Sequence, residues 1–452
     1  MATFASPAMR SSHHHRRLPM PTSFPRDTAL DTEARRIAAG CPVDEFNPFS
    51  PEFVQCPYPF YARLVKEAPV WKAPIQGFYL ITGYEEVMEA CRHPEIFSSD
   101  YRHLFNRKPE IMAILAQGMP EVPTLGTGDP PMHKRYRALL ARAFTAPRVN
   151  AMGDTIDAAI NQLIDASAGS GEVELHAEFG MPLTMQITAD QLGVPREDYR
   201  KFREWSEARI VQFSFMVPLE AEIEATKKRL DFQKYFTERF AQKQANPTND
   251  IISVLATAKL EDDDGKEMRS LTLPEFLSIA EQLMTAGNLT TTHAICAGMV
   301  MLIENPHVRE EITADPSKVK LFVEEMVRLS SPGPGYWRVT KEEVTLAGVT
   351  IPKGAPVHLR FAAGNRDTRV FKDPDRLDIH RENLSSQMAF SHGEHYCAGA
   401  VLAKKELELA FKALLARLPN VRFAPGKNDW SNIQSFAVHG LNHLYLEFDK
   451  HA

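Results

Sequence analysis

One short segment near the C-terminus constrains this chain more than any other. Phe390-Ser-His-Gly-Glu-His-Tyr-Cys397-Ala-Gly399 runs directly into Ala400-Val-Leu-Ala-Lys-Lys-Glu-Leu-Glu-Leu-Ala-Phe411, which reads as a helix. The cysteine is therefore expected at a helix N-terminus, inside a turn held by glycines. Free backbone N–H groups and the positive end of the helix dipole stabilise a sulfur anion there. Gly393 and Gly399 let the backbone pass close to a flat group. A protein offers a single thiolate to a haem iron in this way. Two blander readings compete. One is an inert, buried cysteine at a helix cap. The other is a zinc site from His392, His395 and Cys397, but structural zinc takes four ligands, commonly in paired clusters, and no second Cys/His cluster accompanies these three.

Composition sets the remaining bounds. The chain has 452 residues, of which 44% are hydrophobic, enough for a large core, and it shows no internal repeat. A net charge of -6 gives no global surface for nucleic acid or anionic lipid. The five cysteines (Cys41, Cys56, Cys91, Cys296, Cys397) are scattered, odd in number and without a C-x-x-C pair, which suits a reducing cytoplasm. No segment reads as a membrane span or anchor. The most apolar stretch, 276–303, is interrupted by Glu281, Gln282, Asn288 and His293. Residues 1–40 are basic, serine-containing and proline-rich and are expected to be a disordered tail, with one domain over 41–452.

Along that domain, Phe78–Thr82 reads as a strand and Tyr84–Cys91 as a helix. Residues 97–130 form a long stretch without a clear period, and loops of that length are often functional. Helical patterns dominate from His133 to Leu329, and strand character returns over Val344–Ala362. The expected class is mainly α with a smaller β part. Within the helical region, Thr272 and Glu275 make a capping box, and a long apolar helix should follow. Its middle, Ala286-Gly287-Asn288-Leu289-Thr290-Thr291, carries small residues that admit a flat ligand. A threonine hydroxyl there can bond to the carbonyl four residues back and open the helical ladder.

These segments together resemble the cytochrome P450 family. The cysteine turn matches its pattern at Phe390, Gly393, His395, Cys397 and Gly399, with Ser391 at a position commonly glycine. Ala286, Gly287 and Thr290 match the family's central helix, where Leu289 replaces the usual acid. Glu325-Met-Val-Arg328 matches E-x-x-R, and Pro374-Asp-Arg376-Leu377 resembles P-x-R-F. Asp129-Pro-Pro-Met-His133-Lys-Arg-Tyr-Arg137 resembles D-P-P-x-H-x-x-x-R, and Arg338 follows Pro332-Gly-Pro-Gly-Tyr336-Trp337. The resemblance covers about residues 41–452.

What it implies is a soluble bacterial-type haem-thiolate monooxygenase. Cys397 would be the axial ligand of haem b. His133, Arg137, Arg338 and His395 would hold the two propionates. Thr290 would hydrogen-bond dioxygen, with Asn288 or Thr291 ordering water in place of the missing acid. Glu325, Arg328 and Arg376 would form a buried network bracing the cysteine turn. Electrons would come from an external ferredoxin and ferredoxin reductase, docking near Lys134, Arg135, Arg142, Lys404 and Lys405. The pocket would include Phe213, Phe215, Leu289, Tyr336, Trp337 and Phe436, which favours an apolar substrate. A peroxide-driven peroxygenase, a non-catalytic haem sensor and an electron-independent haem-thiolate isomerase or dehydratase remain as alternatives.

Overall fold

The computed structural model describes residues 29–450, apart from 105–106, 142, 215–216 and 263–266, and leaves out the side chains of 210 and 212–214. The expected tail is shorter at its C-terminal side. Ala29–Gly40 is a helix whose Ala34 and Ala38 are buried in a core with Phe46, Phe53 and Tyr61. Ala34 and Ala38, four residues apart, fall on one helix face, and that face packs into the core. Residues 1–28 lie outside the described residues.

Helices dominate, and the strands gather in small sheets. The largest sheet has five strands in the order Val70–Lys72, Tyr79–Ile81, Pro356–Leu359, Tyr336–Thr340, Phe97–Ser98. Pro356–Leu359 and Tyr336–Thr340 pair antiparallel, with Val357 opposite Arg338, His358 opposite Trp337 and Leu359 opposite Tyr336. Because side chains alternate across a strand, this register places Arg338 and His358 on opposite faces.

The long apolar helix is present but broken. Thr272 and Glu275 form the reciprocal capping box that starts Leu273–Ala286. The ladder stops at Gly287–Asn288 and resumes as Leu289–Glu304. Two side chains capture carbonyls around the break: Asn288 Nδ2 donates to Met284 O (2.8 Å) and Thr290 Oγ1 to Ala286 O (2.9 Å). The second is the back-bond expected from the sequence. The two helices together pass a length-and-hydropathy test for a membrane span, yet they lie mostly buried inside the protein.

The second half packs against the cysteine helix, Ala400–Arg417. Gly298 makes the approach possible, since a Cβ there would stand 2.2 Å from Phe411 Cζ. Ile295, Met299, Phe322, Met326, Leu407 and Phe411 fill the interface, each at most 1% exposed. The threonine helix, the cysteine helix and the Glu325 helix (Val319–Ser330) thus form one rigid core behind the cysteine turn.

Candidate active site

The cysteine turn is fixed by its own backbone. Cys397 N donates to Phe390 O (2.8 Å) and Tyr396 N to Gly393 O (3.0 Å). Gly393 has φ +69°, and a Cβ there would stand 2.6 Å from Cys91 O. Only glycine fits both demands. Ser391 adopts φ 63°, a left-handed conformation that costs a non-glycine residue about 1–2 kcal/mol.

The Cys397 thiol opens onto a cavity of about 450 Å³. Burial pushes its pKa up, while the N–H groups of Gly399 and Ala400 and the charges of Arg137 and Lys404 pull it down. The same cavity is bordered by Phe390, Gly399, Ala286, Gly287, Leu289, Thr290, Thr291, Arg137, Arg338 and His395. A Cβ on Gly399 would meet no protein atom within 4 Å. Ala286 and Gly287 present little more than backbone from the threonine helix. What remains is a slot for a flat group between a thiol and a hydroxyl.

One edge of the slot is cationic. His133 and His395 stack at 4.0 Å, with the interplanar angle at 25°. His395 Nε2 meets Ser99 Oγ (2.9 Å), and Arg137 Nη2 donates to Tyr396 O (2.8 Å). Arg338, 3% exposed, donates to Trp337 O (2.7 Å). Burial and then Arg137 hold the His133 pKa down at about 4, and burial, Arg338 and His133 hold that of His395 at about 2. Neither ring nitrogen of His133 has a hydrogen-bond partner among the described residues. Two carboxylates placed among these four side chains would find donors and offset the mutual repulsion. The residues therefore fit haem b: Cys397 would hold the iron, and these four side chains would take the two propionates.

Other expected residues fall elsewhere. Asn288 is fully buried, donates to Ser206 Oγ (2.9 Å) as well as Met284 O, and is not among the residues that border the cavity. Phe436 is core: it packs on Phe49, Phe78 and His358 under the Arg360 guanidinium. Trp337 borders the cavity, while its indole stands edge-on to Phe78 and His358. Tyr336 borders it too, beneath the Arg338 guanidinium. The side chain of Phe213 and all of Phe215 lie outside the described residues.

The brace behind the turn has a different third member. Arg328 donates to both Glu325 oxygens (2.7 and 2.8 Å) and to Asn365 O and Pro374 O, and both charged side chains are fully buried. Arg381 supplies the further contact to Glu325 (3.2 Å). Arg376 is exposed, because the turn that begins at Asp373 points it outward. The brace reaches the cysteine turn through Asn365, whose Oδ1 accepts from Met388 N (2.7 Å).

The sequence reading missed one cavity residue of note. Glu406, on the cysteine helix, borders the cavity at 4% exposure, and its Oε2 has no partner among the described residues. Burial raises its pKa well above the ordinary value, so it holds a proton. Of the basic residues expected to receive a redox partner, Lys134 pairs with Glu394 (2.8 Å), Lys404 with Glu324 (2.6 Å) and Arg135 with Glu261 (3.7 Å), while Arg142 lies outside the described residues.

Residues 76–440 match the family model "Cytochrome P450". The chain is 34% identical over 407 residues to the vitamin D(3) 25-hydroxylase of Pseudonocardia autotrophica, covering 89% of this chain and 96% of that one. It is 31% identical over 400 residues to the 6-deoxyerythronolide B hydroxylase of Saccharopolyspora erythraea, covering 87% and 96%. Among solved structures it is similar to CYP109E1 from Bacillus megaterium in complex with testosterone, with a TM-score of 0.77, 29% identity and coverage of 88% of this chain and all of that one.

Proposed function

From the premise that the chain belongs to the cytochrome P450 family and is a monooxygenase carrying haem b, we propose that it hydroxylates an apolar small molecule with electrons from an external ferredoxin and ferredoxin reductase. The observation that carries this reading is convergence: Cys397, Thr290, Arg137, Arg338 and His395 all border one cavity, with His133 stacked on His395. The substrate proposal draws on the apolar walls and on relatives whose names include a vitamin D(3) 25-hydroxylase. We place the protein in the cytoplasm because its five cysteines are free thiols.

Haem supplies dioxygen activation and C–H oxidation when bound. The protein residues do the rest. Cys397, with its sulfur facing the N–H groups of Gly399 and Ala400, is poised to ligate as the thiolate. Thr290 commits its proton to Ala286 O, so toward the cavity its hydroxyl oxygen is left to accept. Leu289 can neither donate nor relay a proton. Among the described residues, the protonated Glu406 carboxyl is the buried acid that borders the cavity, and we assign it the role of proton reserve. Apolar walls exclude bulk water and fix the substrate by shape.

The Cys397→Ser protein should keep haem but lose the thiolate-type Soret band of its reduced carbon monoxide complex. Replacing Cys41, Cys56, Cys91 or Cys296 should leave the band intact. A band that survives in Cys397→Ser would overturn the ligand assignment. Turnover with peroxide alone, and none with reductase and ferredoxin, would replace the monooxygenase reading by a peroxygenase.

A further inference from the structure

The cavity wall built from the 332–338 turn, the strand end at 358–361 and the C-terminal turn at 435–438 is mostly apolar. The polar side chains around it are largely committed. Gln282 donates to Thr124 Oγ1 and accepts from Gly126 N, both at 2.7 Å. Thr285 donates to Glu281 O (2.8 Å), and Ser435 Oγ accepts from Ala437 N (3.2 Å).

His358 differs. It borders the cavity, is 1% exposed, and its Nδ1 has no hydrogen-bond partner among the described residues. Its ring is locked edge-on between Trp337 (4.8 Å) and Phe436 (4.7 Å), so it cannot swing out to water. Burial, then Arg360 and Arg338, keep it neutral. A neutral imidazole offers one N–H donor and one acceptor. Gly335 stands in front of it: a Cβ there would lie 2.4 Å from Cε1 and 2.9 Å from Nδ1. The nearest atom to that Cβ would be Leu359 O at 2.1 Å, so only glycine lets the 332–338 turn pass this close to the ring. A buried polar group without a partner is costly unless something completes it.

We propose that His358 is a specificity-determining residue that hydrogen-bonds a hydroxyl or ketone oxygen on an otherwise apolar substrate. The substrate class is then an already oxygenated hydrocarbon skeleton, held by that oxygen while another carbon faces the haem side. This rests on the monooxygenase reading, and the test reads binding so that the two can fail separately.

The experiment titrates the ferric holoprotein with matched pairs: a cyclic hydrocarbon, and the same skeleton bearing one hydroxyl or ketone. The dissociation constant comes from the shift of the Soret band. Wild type should prefer the oxygenated partner by about 10- to 100-fold, the range expected when one buried polar group is left unpaired by the wrong ligand. His358→Leu should bring the preference close to unity and bind the hydrocarbon at least as tightly. His358→Asn, which keeps a donor and an acceptor, should retain part of it. A thiolate-type spectrum in all three proteins is the control that keeps the haem reading separate. Equal binding of both partners by wild type, or an unchanged preference in His358→Leu, overturns the proposal. So does loss of haem from His358→Leu and His358→Asn alike, which would assign the ring to the haem site.

Discussion

His293 shows how one buried side chain can tie the stability of the fold to pH. It lies one turn beyond Thr290 on the same helix, 2% exposed, with neither ring nitrogen partnered among the described residues. The groups facing it are His176 at 5.2 Å, His439 from the C-terminal turn, and Gly440, whose lack of a Cβ makes room for the ring. Burial first, then His176 and His439, lower its pKa to about 3. In the unfolded chain it takes a proton below about pH 6.5. The unfolded state therefore binds more protons between those two values, and stability falls as pH falls through that window. Above pH 6.5 the contribution is fully present. The expected slope from this residue is about 1.4 kcal/mol per pH unit. Denaturant unfolding at several pH values between 7 and 4 should show a shallower pH dependence in His293→Leu than in wild type, by up to one proton. An unchanged slope would mean that the ring is protonated in the fold or solvated in a way that restores its ordinary pKa.

At the scale of elements, sequence pattern revealed most where one interaction is local. The capping box of Thr272 and Glu275, the Glu325–Arg328 pair three residues apart and the Thr290 back-bond are each written within one turn of helix, and each is present. What was not legible depends on chain reversals. Whether Arg376 or Arg381 returns to Glu325 is decided by turns at 373–376 and 378–381, and the spacing of charges alone does not specify them. The brace makes a graded prediction. Arg328→Ala strands a fully buried Glu325 beside two unsatisfied carbonyls and should cost about 3–5 kcal/mol. Arg381→Ala leaves Arg328 in place and should cost about 1–3 kcal/mol. Arg376→Ala should stay within about 0.5 kcal/mol, since its side chain is exposed and only its carbonyl is used. Thermal unfolding of the three variants ranks them. A cost for Arg376→Ala matching that of Arg381→Ala would restore Arg376 to the network.

At the scale of the whole molecule, the difficulty is moving protons to a cavity walled mostly by apolar side chains. The cysteine and the threonine were readable because each sits in a dense local motif. Glu406 was readable in principle, since Ala403 and Ala410 flank it at helical spacing and so place it on the apolar face of its helix; the acid role proposed for it rests on that face meeting the cavity, which spacing does not show. Asn288 failed in the opposite sense: its position on the helix suggested the site, but the break rotated it onto Ser206. With Leu289 inert and Asn288 turned away, the proton roles proposed above fall to Glu406 and Thr290, with Thr291 beside them at the cavity. A positioned general acid contributes on the order of 10²- to 10⁴-fold to a proton-transfer step. Losing it should divert reducing equivalents to hydrogen peroxide rather than stop electron flow. We therefore expect Glu406→Gln and Thr290→Ala each to lower product formed per NAD(P)H consumed, with peroxide rising in proportion. Leu289→Asp should raise that ratio in wild type and restore part of it in Glu406→Gln, because it supplies a second acid beside the same threonine. The measurement is product, NAD(P)H and peroxide in one assay with saturating ferredoxin, alongside haem content to exclude a folding effect. If Glu406→Gln left the ratio unchanged while Leu289→Asp lowered it, the protons would be arriving by a route that uses neither carboxyl position.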